Sequence, residues 1–129
     1  MKRSTREWIQ KADGDLKVAR RELQASDPVY NAICFHAQQC VEKYLKALCE
    51  ERRGTVPKTH DLIVLLNELG ASVAQLEPER KALARLGAYA VAFRYPGEEA
   101  GIEEAQEAVS IAEQVRSVLR ENVGLPDEP

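Results

Sequence analysis

Apolar residues recur every three or four positions through most of the chain, and no segment shows the strict alternation of a half-buried strand. Trp8, Ala12, Leu16, Ala19 and Leu23 form one stripe, which predicts a first helix over Ser4–Gln24. Glu7 and Lys11 support it at i, i+4 spacing, and Gly14 in its interior is expected to mark a close helix contact. Ala25-Ser26 breaks the pattern. Asp27 reads as an N-cap and Pro28 as a first helical residue, so a second helix should start there and end near Arg53, before Gly54. Its seam is Cys34, Ala37, Val41, Tyr44/Leu45 and Leu48. Pro57 makes the following stretch a connector. A short third helix fits Asp61–Leu69, with Leu62, Leu65, Leu66 and Leu69 apolar and Gly70 as its stop. Glu77-Pro78 should open a fourth helix bearing Leu83, Leu86, Ala90 and Phe93, which must end near Tyr95 because Pro96 follows. The fifth is expected over Ile102–Asn122, and residues 124–129 should fray. The pattern predicts an all-α fold, an up-and-down antiparallel bundle of four long helices plus one short helix, as one domain over residues 1–123.

Composition agrees with that reading. The 129 residues suit one domain, 44% are hydrophobic, 30% charged and only 5% aromatic. The charged start is not followed by an apolar run, and no stretch has the roughly 18 apolar residues of a membrane span, so a cytoplasmic location is expected. Cys34, Cys40 and Cys49 fall on one predicted helix and point three ways, which excludes pairing among them and predicts reduced, packed thiols. No cysteine–histidine spacing fits a metal, so no metal site is expected. The net charge of −3 hides an asymmetry. Residues 1–94 carry 16 basic and 12 acidic side chains, whereas residues 95–129 carry 2 and 9. Overall charge therefore gives no support for nucleic-acid binding, while the first part has room for a local basic surface.

Two places break the amphipathic pattern. On the second helix His36, Gln39, Lys43 and Lys46 fall within an arc of about 80°, well away from the apolar seam. Such a face is either solvated or a set of donors for an anionic ligand. On the fourth, Arg94 lies roughly 20° from Leu83 if the helix is regular, so its cation is aimed along the apolar stripe. It then needs a carboxylate such as Glu42, a way out to solvent at the helix end, or a phosphate to fork. His60, in Lys58-Thr59-His60-Asp61-Leu62, should pack against the bundle while Thr59 or Asp61 caps the third helix. No Gly-rich phosphate loop, HExxH or GxSxG is present.

Four short motifs then fall in order. Trp8-Ile9-Gln10-Lys11-Ala12-Asp13-Gly14-Asp15-Leu16 resembles the W-x-x-K-A-x-x-D-L opening of the HEPN (higher eukaryotes and prokaryotes nucleotide-binding) domain family. Gln38-Gln39-Cys40-Val41-Glu42-Lys43-Tyr44-Leu45-Lys46-Ala47 is similar to its Q-Q-x-x-E-K-x-L-K-A signature, Thr59-His60-Asp61-Leu62 to its T-H-D-L, and Arg94-Tyr95-Pro96 to the R-Y-P of a prokaryotic type. The resemblance covers nearly the whole chain. It implies a helical bundle, commonly a homodimer, often encoded beside a minimal nucleotidyltransferase in a toxin–antitoxin-like pair. It also implies a ligand- or partner-binding surface of Gln39, Glu42, Lys43, Lys46, His60, Arg94 and Tyr95, with a bound nucleotide or RNA as the ligand and no other cofactor.

The chain departs from the family's ribonucleases. Those carry an arginine followed four to six residues later by a histidine. After Arg94 this sequence reads Tyr95-Pro96-Gly97-Glu98-Glu99-Ala100-Gly101. Metal-independent RNA cleavage needs a proton acceptor, and neither His36 nor His60 occupies that place. The leading expectation is therefore a binding module with no catalytic residues. The alternatives are a metal-independent RNA endonuclease using His60 and Arg94, and a purely structural helical dimer.

Overall fold

Helix α2 (Tyr30–Arg53) forms the axis of the molecule, and every other helix packs on it. The computed structural model describes residues 1–126 and 128. Around α2 lie α1 (Arg3–Leu23), α3 (Leu62–Leu69), α4 (Arg80–Ala92) and α5 (Ile102–Asn122), with a 3₁₀ segment at Gly70–Glu79. No strand occurs among the described residues. Side-chain ties give the directions. Ser4 and Thr5 at the start of α1 donate to Glu50 and Glu51 at the end of α2, so these two helices are antiparallel. Arg52 donates to the Asn122 carbonyl, and Asn31 accepts from the Ala100 amide, so α5 runs beside α2 in the same direction. Gln114 reaches Glu79 and Arg85 reaches Glu107, which sets α4 against α5. The four long helices alternate up and down as expected, and α3 is the short fifth.

The seam of α2 is Ile33, Cys34, Ala37, Val41, Tyr44, Leu45 and Leu48, each fully buried. Ala105, Ala108, Ala112, Val115 and Leu119 of α5 and Ala12, Leu16 and Ala19 of α1 complete that core. Each fully buried leucine contributes about 2 kcal/mol of apolar burial. All three cysteines are buried and free. On α1 the buried face leans toward Thr5 and Ile9, leaving Trp8 and Leu23 half-covered. Gly14 is exposed, and a Cβ there would meet no atom within 4 Å, so it does not mark a close helix contact.

The ends of α2, α3 and α5 follow local chemistry. Gly54 closes α2 in the left-handed conformation, φ 72°, with its N–H on the Glu50 carbonyl. Asp61 caps α3, its Oδ1 accepting from the Ile63 and Val64 amides at 2.9 and 3.3 Å, while Thr59 holds the Asp61 amide. Helix α5 spans the predicted residues, with Glu103 and Glu104 in its positive first turn.

Three boundaries differ. Helix α2 begins at Tyr30 rather than Pro28, because Glu22 of α1 reaches across and accepts the Val29 amide at 2.8 Å. Asp27 therefore does not cap it. Glu77-Pro78 lies inside the 3₁₀ segment, and α4 starts at Arg80, which clamps Glu77 through two hydrogen bonds. The segment is anchored by fully buried Val73 and Leu76. Finally, α4 ends at Ala92, and Arg94 and Tyr95 continue only in a three-residue turn, on the Val91 and Ala92 carbonyls. Pro96 forces this unwinding, since its ring would clash with the carbonyl four residues back. Within the tail, the Leu125 amide donates to Arg120, and Arg120 Nε donates to the Pro126 carbonyl at 2.7 Å. Asp127 and Pro129, part of the tail expected to fray, lie outside the described residues.

Candidate functional site

Glu42 projects from α2 toward α3, and its side chain is only 5% exposed. A carboxylate so placed must be met by donors. Lys46, one turn on, approaches its Oε2 at 3.1 Å, and His60 Nδ1 lies 3.1 Å from both oxygens. Gln38, one turn back, donates to Oε1 at 3.2 Å and to the His60 carbonyl at 3.3 Å. Gln39 then donates to Gln38 at 2.9 Å. Since an ionised carboxylate only accepts, Nδ1 carries a proton, and the rest of the imidazole faces solvent with the side chain 87% exposed. The buried ammonium of Lys46 also lies 5.7 Å from the Trp8 ring centroid.

The outer stripe of α2 continues to Phe35. The Arg94 guanidinium sits 5.5 Å from that ring's centroid. Arg94 is exposed, so it does not enter the apolar core as a regular helix would have directed it, and Glu42 is not its partner. The unwound end of α4 turns it outward onto an aromatic face. Tyr95 beside it is 62% exposed. Phe35, Gln39, Glu42 and Lys46 thus mark one row spanning about 16 Å of helix rise, with Arg94 at one end and His60 near the middle. Phe35 and Glu42, which hold Arg94 and His60, are separated by seven residues, or about 10 Å of rise.

The expected cationic face of α2 divides. Lys43 and His36 turn to α1, where both hold Asp15, at 2.6 and 2.9 Å. The His36 ring meets Phe35 edge-on. Lys43 therefore lies outside the row of Gln39, Glu42, Lys46, His60 and Arg94. Gln38, Trp8 and Phe35 belong to the site, although the sequence reading left them out. Their signals were a second glutamine in Q-Q, a tryptophan on the edge of the α1 stripe, and an aromatic residue on the polar side of α2. Beside His60 an apolar groove of about 440 Å³ opens between α3 and α4, lined by Ile63, Leu83, Ala84, Gly87 and Val91.

A second polar network escaped the sequence reading altogether. Asp13 of α1 accepts from the Tyr44 hydroxyl and from Arg116 Nε at 3.0 Å, with Arg120 at 3.6 Å. Both arginines belong to α5 and are buried. Burial, with the Asp13 hydrogen bond next, raises the Tyr44 phenol above its ordinary value of 10.0. Burial likewise raises all three thiols. Cys34 is pushed up to about 11, with Glu104 adding to the effect. Thiols held protonated in this way are inert.

The sequence profile of the HEPN domain matches residues 5–122. Among solved structures, the chain is similar to the crystal structure of TT1696 from Thermus thermophilus. The two share 28% identity with a TM-score of 0.77, over 92% of this chain and 97% of that one. No curated protein matches the chain.

Proposed function

The chain belongs to the HEPN domain family, and on that premise we propose that it is a non-catalytic nucleotide- and partner-binding module of the cytoplasm. In this reading it forms a homodimer and works with a minimal nucleotidyltransferase in a toxin–antitoxin-like pair, and the surface used is the α2 row with Arg94 and Tyr95. The family ties the chain to nucleotide- or RNA-related function. The observation that carries the finer reading is the exposed Arg94 guanidinium, held on Phe35 at one end of the α2 row. A guanidinium stacked on an aromatic ring offers a flat surface for a base and a fork for a phosphate. Exposed Val91 and Tyr95, together with the α3/α4 groove, give the apolar surface for a second copy. No helix among the described residues is long and apolar enough to cross a membrane.

The roughly 10 Å of α2 between the supports of Arg94 and His60 argues against both acting on one phosphate within a single chain. Equilibrium dialysis against ATP, GTP and AMP tests the binding reading. Wild-type protein should bind at least one nucleotide, and Arg94→Ala should weaken that binding with the melting temperature unchanged. Absence of binding to all three, with no associated protein, refutes the module. One observation favours the endonuclease as a second reading. The Glu42–His60 pair orients an exposed imidazole as a general base requires. It predicts RNA cleavage in EDTA that His60→Ala abolishes, and intact RNA after long incubation rejects it.

A further inference from the structure

The other concentration of charge lies across the bundle, where Tyr44 leaves α2 about 160° around from Glu42. There, between α1 and α5, a groove of about 330 Å³ is lined by Asp13, Leu16, Lys17, Arg20, Arg21 and Arg116. Lys17, Arg20 and Arg21 share one face of α1 by their three- and four-residue spacing. Arg116 is 7% exposed. Four cations thus meet one lining carboxylate, and both oxygens of that Asp13 are already taken by Tyr44, Arg116 and Arg120. Arg20 has a partner in Glu113 at 2.7 Å, just outside the groove. Lys17 and Arg21 have no acidic partner among the described residues.

Arg116 supplies an independent observation. Its Nε is fixed by Asp13, while Nη1 takes the main-chain carbonyl of Glu128. The outer end of this buried guanidinium is thus turned to an oxygen acceptor, and a main-chain carbonyl from beyond the bundle occupies the place that a ligand oxygen would take. A phosphate oxygen would bind there more strongly, because its negative charge adds an ion pair, and a second parallel hydrogen bond, that a neutral carbonyl cannot give the guanidinium. We propose that this groove is a binding site for a diphosphate group, with Arg116 at its floor and Lys17, Arg20 and Arg21 at its rim. Cations spread across both helices suit two linked phosphates better than one. The site lies on a different face from the Arg94 row and does not depend on it.

Calorimetric titration of the full chain with inorganic diphosphate at low salt tests the proposal, with ADP in parallel. One site per chain is expected. Binding should weaken at least about tenfold in the double variant Lys17→Ala/Arg21→Ala, since each lost charged hydrogen bond counts for that much or more. Both side chains are exposed, so the melting temperature should stay unchanged. Arg94→Ala should bind diphosphate as the wild type does. Tighter binding of ADP than of diphosphate by the Arg94→Ala protein identifies a nucleotide as the diphosphate's source, and equal or weaker binding identifies the free anion. Three results overturn the site: no binding up to about 1 mM, binding indifferent to the double variant, or binding abolished by Arg94→Ala.

Discussion

At Glu42 a single carboxylate serves Gln38, Lys46 and His60, and the contacts to the last two, which differ in exposure, should fail differently when broken. Lys46 is buried beside it, whereas the His60 ring stands in solvent. Glu42→Ala leaves a buried ammonium without its counter-charge, and breaking such a pair costs about 3–5 kcal/mol. His60→Ala removes an exposed partner and should cost less than about 1 kcal/mol. Urea unfolding of the two variants checks this, and equal losses would mean that Lys46 is hydrated. The raised thiol of Cys34 gives a second residue-scale outcome. Above its ordinary value of 9.0 the folded chain keeps a proton that the unfolded chain releases. Stability is therefore full below about pH 9 and is lost as pH rises through about 11, with Tyr44 acting in the same direction from 10.0. Unfolding midpoints measured from neutral to alkaline pH should stay flat and then fall. A continued plateau past pH 11 would show that the thiol is not buried in solution.

At the scale of the elements, α1 carries a residue its packing does not need. Gly14 sits in the helix interior with open space where a Cβ would go. Gly14→Ala should stabilise the protein by about 0.5–1 kcal/mol, read as a higher melting temperature. A loss instead would reveal a contact at this face in the assembled state. The same helix shows what a sequence can say. Most of its stripe and the full span of α5 were legible because each helix has one apolar face. The start of α2 was not, since the carboxylate that meets the Val29 amide comes from Glu22, seven residues upstream on another helix. The last turn of α4 was misread for a related reason. Proline acts on the carbonyl four residues before it, so α4 stops at Ala92 and Arg94 points elsewhere.

Across the whole molecule, the centrality of α2 explains why the candidate site was only half legible. A helical wheel sorts residues into a seam and a solvated face, but α2 is enclosed by four helices and buries polar residues as well. Gln38, Glu42 and Lys46 are therefore core-like network members rather than surface donors. Arg116 and Arg120, the two basic residues in the acidic last part of the sequence, are likewise consumed inside, against Asp13. What stays outside on the α2-row side is Arg94, Tyr95, the His60 ring and the α3/α4 groove. If a second copy covers that groove, light scattering should give twice the chain's 14.4 kDa, and Val91→Glu should give a folded monomer. A monomeric wild type would remove the dimer from the account. The most direct test of the central claim is affinity purification of the protein from its native host, with wild-type and Arg94→Ala baits compared by mass spectrometry. A small nucleotidyltransferase should be recovered in near-equal amount with the wild type and lost with the variant. Recovery of the wild-type protein alone, free of nucleotide and RNA, would contradict that claim.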